Sequence, residues 1–396
     1  MRIVRQSERG GVSIFIVIFT ALLLTVATTS FVQLMVRNQQ QASTNDLSQS
    51  AYDAALAGVE DAKRALVALS KCEGKDTDGC NTLRSRFASD SQKCEFLGAV
   101  NVSTFTNGEV QVGSDPSLNQ AYTCVKVKTN NPDYRGRLDG DSGGNVIRLQ
   151  PAGTFDRVKI SWFSNEDVTK DNPAATTGFP VSPDPVNNAF ALLTKNSWSN
   201  SAASRKSPPV LRAQLIQFKK RNIQLDRFDS TGDSDAHTAF LYPNESNSAA
   251  ALNWSSGMRA GTNVPSPASC SVAAPASGYH CQAILRLPTL LGETADTTVS
   301  VGNREMYLQL AAIYGPTRYT VELLNGNDPV AFDGGQAVVD STGRASSLFR
   351  RISARVSVKA TSLKYPEAAL TVRGDLCKNF FITKSIADYS NKCPVN

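Results

Sequence analysis

The feature that most constrains this chain is a long uncharged run close to its N-terminus. No charged residue occurs between Arg9 and Arg37, and residues 12–36 are almost all apolar or small. An α-helix rises about 1.5 Å per residue, so about 20 such residues cross the hydrocarbon core of a bilayer. The apolar region of a conventional signal peptide is shorter, at about 7–15 residues. We therefore predict a transmembrane helix over residues 12–36, with a conventionally cleaved signal peptide as the alternative.

The charges in front of this run predict its orientation. The segment 1–11 contains three arginines and one glutamate: Arg2, Arg5, Arg9 and Glu8. Positively charged flanks of a membrane helix remain on the cytoplasmic side. The short basic leader 1–11 is therefore predicted to be cytoplasmic, and everything after the apolar run is predicted to be extracytoplasmic.

Beyond the membrane segment the pattern stays helical. Small and apolar residues recur at three- and four-residue steps within residues 37–70: Leu47, Ala51, Ala54, Ala55, Gly58, Ala62, Ala65, Leu66 and Leu69. Such spacing places them on one face of an amphipathic helix. Proline first occurs at Pro116, so a single rod of about 60 residues, roughly 90 Å long, is predicted. The stripe suits either docking on the domain that follows or close approach of neighbouring rods, and the pattern does not choose between them.

Eight cysteines follow the membrane segment, and none forms a C-x-x-C pair: Cys72, Cys80, Cys94, Cys124, Cys270, Cys281, Cys377 and Cys393. The spacing typical of zinc and thioredoxin-type sites is therefore missing. An even set in polar sequence indicates disulfides formed in an oxidising compartment. We predict that sequential neighbours pair, as 72–80, 94–124, 270–281 and 377–393, with buried free thiols as the alternative.

From about Gly98 onward, short apolar runs alternate with Gly, Asn, Asp, Ser and Pro. The runs with strand character are Tyr122–Thr129, Asn145–Leu149, Arg157–Phe163, Val210–Phe218, Thr238–Tyr242, His280–Leu287, Met306–Tyr314, Arg318–Leu324, Ala337–Asp340 and Phe349–Ala360. Glycine turns are predicted between runs at Asn325-Gly326, Asp333-Gly334-Gly335 and Thr342-Gly343. The predicted class is α+β: a long N-terminal helix, transmembrane and then amphipathic, followed by a β-rich, disulfide-stapled extracytoplasmic region of antiparallel sheets.

Two stretches with little periodicity interrupt the distal region. Residues 165–209 and 246–278 are rich in Pro, Ser, Asn and Thr, and are predicted to be long surface loops or linkers. A boundary is predicted near Ser204. The modules are then a first β-rich module over 71–204, with the long loop 165–209, and a second over 205–396, with a C-terminal disulfide loop at 377–393.

No catalytic motif is found in the sequence. The two histidines, His237 and His280, lie in no metal-binding or hydrolase motif and are predicted to be surface or strand residues. The acidic strings 226–235 and 139–144 offer oxygen ligands without the EF-hand spacing, so solvated loops are favoured over calcium sites. We predict no catalytic residue, no metal site and no cofactor.

The net charge of +6 does not indicate a nucleic-acid site. The densest basic groups are short and scattered: Arg205-Lys206, Lys219-Lys220-Arg221 and Arg350-Arg351. A nucleic-acid groove needs several such clusters on one face, interleaved with aromatic side chains. Binding of nucleic acid is therefore not expected.

Three N-terminal features occur together: Arg9-Gly10-Gly11, the uncharged run, and the segment Ala51-Tyr-Asp-Ala-Ala-Leu-Ala-Gly-Val-Glu-Asp-Ala62. Over about the first 70 residues they resemble the N-terminal region of type IV pilus minor pilins of the PilX kind. The resemblance implies cleavage by a prepilin peptidase after Gly10 or Gly11, so that the mature chain begins at Gly11 or Val12. It also implies a non-catalytic subunit of a type IV pilus or pseudopilus.

The resemblance further implies three kinds of partner. They are other pilin-like subunits through the N-terminal helix, membrane lipid, and a surface ligand or host cell. The loop 377–393 looks like the disulfide-bounded C-terminal region of pilins, which displays a partner-contacting surface in that family. A staple that merely ties down the terminus is the alternative for this loop.

One position departs from the major-pilin pattern. The fifth residue after Gly11 is Ile16, and the fifth after Gly10 is Phe15, where major pilins place a glutamate. In the family, that glutamate neutralises the N-terminal ammonium of a neighbouring subunit within the apolar filament core. The departure favours a minor, tip or initiating role. The alternatives are a permanently membrane-anchored adhesin or scaffold protein and, less favoured, an anchored enzyme.

Overall fold

A computed structural model describes residues 11–112, 119–140, 144–168, 183–184, 189–190, 208–219, 225–228, 235–244, 251–256, 266–271, 277–288 and 304–357. The fold is α+β, as predicted, with a long N-terminal helix and a β-rich region that contains disulfides. Several predictions fall on other residues and lie outside the described part of the chain: most of the leader 1–11, the boundary near Ser204, and the loop 377–393.

The first element, α1 (Gly11–Lys71), is one unbroken helix of 61 residues. It contains no proline, and Gly58 is its only internal glycine, so nothing interrupts the chain of i to i−4 hydrogen bonds. The apolar segment 12–36 and the amphipathic segment 37–70 are therefore parts of a single rod.

Two short helices and one 3-10 turn follow: α2 (Asp78–Asp90), α3 (Phe96–Ala99) and Leu225–Phe228. The strands are β1 (Val110–Gln111), β2 (Gln120–Lys128), β3 (Asp133–Leu138), β4 (Asn145–Arg148), β5 (Arg157–Ser164), β6 (Pro183–Asp184), β7 (Ala189–Phe190), β8 (Val210–Lys219), β9 (Ala236–Asn244), β10 (Ser255–Ser256), β11 (Ser266–Cys270), β12 (Tyr279–Arg286), β13 (Arg304–Ile313), β14 (Thr317–Asn325), β15 (Asp328–Val330), β16 (Gln336–Ala345) and β17 (Leu348–Ser357). Each predicted strand is present, with ends that differ by a few residues.

The structure also contains elements that the sequence pattern did not indicate. α2 lies in the module predicted to be β-rich, and β11 lies in the stretch 246–278 predicted to be a loop. Only Cys80, Phe87 and Asp90 of α2 are buried, too few for a clear apolar period of 3.6. The helix begins after Thr77, whose hydroxyl accepts a hydrogen bond from the Cys80 N–H at 3.4 Å.

One predicted turn is wrong. Thr342-Gly343 lies inside β16, where the pairing with β2 shifts register at a β-bulge between these two residues. The hairpin from β16 to β17 turns at Ser346 instead, whose φ is 53°. The predicted turn at Asn325-Gly326 is present between β14 and β15, and Gly326 has a φ of 61°.

The chain forms two compact units that are interleaved in sequence. The first is drawn from Met1–Tyr134, Gln150–Thr154 and Pro329–Lys359, and the second from Arg135–Leu149, Phe155–Asp328 and Ala360–Asn396. The sequence predicts one boundary, near Ser204, because composition locates loops but does not say which strands pair. In the structure, the chain leaves the first unit after Tyr134, returns to it for Gln150–Thr154, and returns again at Pro329.

In the first unit, α1 packs on one face of a four-stranded sheet. The strand order is β1-β2-β16-β17, and every neighbouring pair is antiparallel. The buried core includes Val59 and Leu66 of the helix, with Tyr122, Val125 and Val339 of the sheet. The rings of Phe87 in α2 and Phe96 in α3 meet edge-to-face at 4.8 Å and extend this core.

The second unit is built on a larger sheet that is mixed. Eight of its strands follow the order β14-β5-β12-β11-β9-β8-β13-β4. Neighbours are antiparallel except for β9 and β11, which run parallel. A connection of about 20 residues joins these two, which is long enough for the chain to return to the end where β9 began. The prediction of purely antiparallel sheets is therefore wrong at this pair.

A buried carboxylate organises one end of the second unit's sheet. Asp167 accepts hydrogen bonds from the Ser164 N–H and from both the backbone N–H and Nη1 of Arg318, each at 2.9 Å. The Thr317 hydroxyl accepts a further bond from the Phe163 N–H, also at 2.9 Å. Phe163 has a φ of 61°, a conformation that bulky residues rarely adopt. These bonds hold the end of β5 beside the start of β14.

Candidate functional site: the N-terminal helix

The N-terminal half of α1 is exposed on all sides. Every side chain from Ile14 to Asp46 is exposed, and the large apolar ones up to Val36 are 48–74% exposed. The helix is long and apolar enough to cross a membrane. Water is a poor solvent for such a surface, so this half is suited to lipid or to other apolar helices.

Polar side chains in the apolar half turn their hydroxyls back onto the helix. Each donates to a carbonyl three or four residues earlier, at 2.8–3.0 Å: Thr20, Thr25, Thr28, Thr29 and Ser30. Backbone and hydroxyl groups are thus satisfied within the helix. This is the condition for crossing hydrocarbon, where no water is available as a partner.

A polar stretch separates the apolar half of α1 from its first packing contact. Residues 37–46 contain no large apolar side chain and are exposed throughout. From Ile14 onward, Leu47 is the first residue of the helix that is half-buried. The stretch is about 15 Å long at 1.5 Å per residue, so it separates the apolar run from the folded unit by that distance along the helix.

Small residues hold the C-terminal half of α1 closely against the first unit's sheet. A Cβ added to Gly343 of β16 would overlap the carbonyl oxygen of Ala51 and the nitrogen of Ala55 in the helix. A Cβ added to Gly58 of the helix would lie 2.5 Å from Oγ of Ser341. The helix and the sheet therefore approach each other at positions where only hydrogen fits.

The alanine stripe of α1 lies in this interface. Its alanines are at most 1% exposed: Ala51, Ala54, Ala55, Ala62 and Ala65. Of the two roles that the sequence left open for the stripe, the structure shows the first, which is packing on its own folded unit. Any contact between neighbouring rods must then use other faces of α1.

Asp61 connects α1 to the rest of the first unit through hydrogen bonds. Its carboxylate accepts from the Tyr122 hydroxyl at 2.7 Å and from the Ser103 hydroxyl at 2.8 Å, and Arg64 lies 2.9 Å away. Burial, together with the hydrogen bond to this carboxylate, raises the pKa of the Tyr122 phenol above its ordinary value. These bonds fix the rotation of the helix about its axis, since Asp61 lies at the edge of its buried face.

Three disulfides join sequential neighbours, in the pairs that the sequence predicts. Cys72–Cys80 connects the end of α1 to α2, and Cys94–Cys124 connects the segment before α3 to β2. Cys270–Cys281 joins β11 to β12 in the second unit. The predicted pair Cys377–Cys393 lies outside the described residues.

The predicted processing residues lie at the start of the helix. Gly11 is the first residue of α1 and Val12 the second, while Gly10 lies outside the described residues. A peptidase that cuts after Gly10 would leave all of α1, and one that cuts after Gly11 would remove only its first residue.

The structure places both histidines in strands and buries them. His237 in β9 and His280 in β12 are each 6% exposed, so the surface alternative is wrong for both. His280 Nδ1 lies 2.9 Å from the Ser271 carbonyl oxygen. Because a carbonyl only accepts, this nitrogen carries the proton. Among the described residues, no group of three or more His, Cys, Asp or Glu is arranged to hold a metal ion.

Sequence reasoning missed three residues of the helix–sheet contact. The Thr342-Gly343 pair predicted a turn, and no sequence pattern indicated a role for Ser341. Asp61 was part of the alanine-rich motif but had no predicted role of its own. The position of Asp61 beside the apolar stripe of the helix was the one sequence feature that could have predicted its hydrogen bonds to the folded unit. No protein-family model and no curated protein matches the chain in sequence.

Proposed function

We propose that this protein is a non-catalytic, minor pilin-like subunit of a type IV pilus or related pseudopilus, acting in assembly, at the tip, or in surface contact. One observation carries the proposal. A single unbroken helix begins as an exposed apolar rod and ends buried on a four-stranded antiparallel sheet of its own chain. Such a helix joins a membrane-soluble half to a folded head without a flexible joint.

The exposed apolar half supports a role in membrane and in assembly. Fifteen large apolar side chains between Ile14 and Val36 are exposed. Burying them in lipid or against other helices would stabilise the protein by on the order of 20 kcal/mol. In this proposal the helix first spans the membrane, and then packs against the helices of other pilin-like subunits.

The charges and the disulfides support one orientation. Three arginines precede the apolar run, which keeps the N-terminus cytoplasmic by the positive-inside rule. The described cysteines, all beyond the run, form disulfides, as expected of an oxidising compartment. The folded units are therefore proposed to lie outside the cytoplasm, where exposed loops would meet a surface ligand or host cell.

The residue at position 16 supports a minor rather than a bulk role. Ile16 is 58% exposed and apolar, so it offers no carboxylate to a neighbouring N-terminal ammonium. An unpaired ammonium would be costly in an apolar filament core. A subunit at a tip or in an initiating complex has fewer neighbours to satisfy.

The mass of the mature N-terminus tests the proposal. A chain purified from its native membrane is expected to begin at Gly11 or Val12, with or without N-methylation. The control is a Gly10→Val, Gly11→Val variant, which is expected to retain Met1. A parent chain that also retains Met1 would select the permanently anchored adhesin or scaffold protein, which the apolar Ile16 favours as the second candidate.

A further inference from the structure

The three described disulfides differ in their access to solvent. The residues of Cys270–Cys281 are at most 2% exposed, and those of Cys72–Cys80 are at most 9% exposed. Both residues of Cys94–Cys124 are partly exposed. Because a disulfide reacts with a thiol only where the thiol can reach a sulfur atom, Cys94–Cys124 is the described bond that a thiol in solution reaches most easily.

Cys124 lies on the outer face of the first unit's sheet, which is the face turned away from α1. In β2, Val125 and Val127 belong to the core that α1 covers, and both are 0% exposed. Side chains alternate along a strand, so Cys124 and Lys126 face the other way. Lys126 is about 7 Å from Cys124 along the strand, and its positive charge favours an approaching thiolate.

Cys94 lies in a short segment, residues 91–95, which covers one edge of β2 and is called the edge segment below. The Cys94 carbonyl accepts a hydrogen bond from the Val125 N–H at 3.0 Å, and the Ser91 carbonyl accepts one from the Val127 N–H at 2.7 Å. The Gln92 side-chain amide donates to the Val127 carbonyl at 2.7 Å. The Cys94–Cys124 bond therefore links the edge segment covalently to the strand that it covers.

We propose that Cys94–Cys124 is a thiol-exchange site, at which a thiol forms a mixed disulfide with the protein and releases the edge segment from β2. The thiolate attacks one sulfur of the bond and forms a new S–S bond with it. The other cysteine leaves as a thiolate and takes a proton from water. With a dithiol, the second thiolate attacks the mixed disulfide, so that the dithiol is oxidised and both cysteines are left reduced.

The release is local, because both ends of the edge segment stay anchored. Lys93 Nζ lies 2.6 Å from Oδ1 of Asp90 at the end of α2, and Phe96, which follows the edge segment, is 0% exposed. Exchange removes the covalent link that holds the hydrogen bonds of Val125 and Val127 closed. It therefore uncovers two backbone N–H groups at the edge of β2, while the core between α1 and the sheet remains.

The rate of mixed-disulfide formation tests the proposal. The full-length protein in detergent is treated with reduced glutathione at about pH 8, near the ordinary pKa of a thiol, quenched with acid at intervals, and digested without reduction. Mass spectrometry then gives the fraction of each cysteine that carries glutathione. We expect adducts at Cys94–Cys124 to form at least five-fold faster than at Cys72–Cys80 and Cys270–Cys281, which are the internal controls. A smaller ratio, or a faster reaction at either control bond, overturns the proposal.

A second arm of the experiment identifies the source of the thiol. Thioredoxin, a protein dithiol, replaces glutathione at the same thiol concentration, and the freed cysteines are alkylated and counted by mass. A faster reaction with thioredoxin assigns the site to protein dithiols, and a faster reaction with glutathione assigns it to small thiols. Reaction of Cys94–Cys124 with neither overturns the proposal.

Hydrogen exchange tests the release of the edge segment. After thiol treatment, the amides of Val125 and Val127 are expected to exchange at least ten-fold faster. The double variant Cys94→Ser, Cys124→Ser should show the same increase without any thiol. Amides of β16 and β17, in the same sheet, are the control for folding and should not change. No increase at the two valines while these control amides stay protected, or an equal increase at the control amides, overturns the local release.

Charge reversal tests the direction of attack. We expect Lys126→Glu to slow the glutathione reaction at Cys94–Cys124 about three-fold, because a negative charge about 7 Å away repels the thiolate. Lys128→Glu is the matched control, since it makes the same change two residues farther along the same face, and it should slow the reaction by less than about 1.5-fold. Equal slowing by the two variants would contradict attack from the outer face of the sheet.

Discussion

Gly343 shows how a single residue sets the distance between α1 and its sheet. It sits on β16 directly beneath the helix backbone at Ala51 and Ala55. Gly58 does the same from the helix side, opposite Ser341. Because packed interiors have little free volume, a methyl group at Gly343 must displace the helix backbone, whereas one at Gly58 would first displace the side chains of Ser341 and Val125.

We expect Gly343→Ala to lower the free energy of unfolding of the first unit by about 1–3 kcal/mol, which is typical of overpacking. The readout is amide hydrogen exchange of residues 51–66 in the full-length protein in detergent. Gly79→Ala in α2 is the matched control, since a Cβ there meets nothing within 4 Å, and it should stabilise by about 0.5–1 kcal/mol. Equal hydrogen-exchange rates at residues 51–66 in the two variants would contradict the close contact between Gly343 and the helix.

Tyr122 is predicted to make the first unit less stable at alkaline pH. The pKa of its phenol is raised, mainly by burial, from an ordinary value of 10.0. The folded state therefore keeps the proton after the unfolded state has lost it, so stability falls as pH rises above about 10 through the folded pKa. Below about pH 10, the contribution of the protonated Tyr122 phenol to the free energy of unfolding is fully present.

Tyr122→Phe is expected to reduce the loss of stability at alkaline pH, because no phenol remains to ionise at this position. Unfolding midpoints in urea between pH 8 and about 12 would show it. Tyr52→Phe is the control for loss of a tyrosine hydroxyl as such, because Tyr52 is 45% exposed. A Tyr122→Phe variant with the parent's alkaline slope would show that other groups cause the loss.

At the scale of elements, α1 is one helix with three environments. Its first part is exposed and apolar, its middle at residues 37–46 is exposed and polar, and its last part is buried on one side. The middle part has few side-chain partners, although the Thr44 hydroxyl donates to the Gln40 carbonyl at 2.8 Å. Its helical state therefore depends on the flanking parts, since short isolated helices are marginal in water.

The two disulfides of the first unit close loops of different size. Cys94–Cys124 has a sequence separation of 30, and Cys72–Cys80 a separation of 8. On the loop-entropy account, replacing both cysteines of the larger loop by serine should cost about 1 kcal/mol more than the same change in the smaller loop. Urea unfolding of the two double-serine variants measures the difference. The reverse order would show that local packing of α2 outweighs loop size.

At the scale of the whole molecule, the apolar half of α1 is the part that is long and apolar enough to anchor the chain in a membrane. Leu24 lies at the middle of the run and is 65% exposed. An arginine at the centre of a membrane helix costs about 2.5–3.5 kcal/mol on insertion scales. Leu24→Arg should therefore increase the fraction released from membranes by alkaline carbonate, roughly 100-fold in the partition ratio.

Gln40→Arg is the matched control for that experiment. It adds the same charge to the exposed polar stretch of the same helix, and we expect no change in carbonate release. Release of both variants to the same extent would indicate that added charge, rather than loss of the apolar run, detaches the protein.

The division into two units could not be predicted from the sequence. Strand character was visible locally, and each predicted strand is present because alternation and β-branched residues mark a half-buried pleated surface. Which strands become neighbours depends on contacts between residues far apart in the chain. Val339 of β16, for example, pairs with Val127 of β2 across more than two hundred residues.

The sequence by itself determined the properties that reside in neighbouring residues. These are the uncharged run, the unbroken helix, the strands, and the three disulfides between sequential cysteines, because each depends on local chemistry or on short loops. Tertiary structure alone decided that Gly343 is a contact rather than a turn, that β9 and β11 are parallel, and that the alanine stripe faces its own sheet. Those outcomes depend on which distant parts of the chain pack against each other in the folded protein. The linear order of residues does not specify this packing.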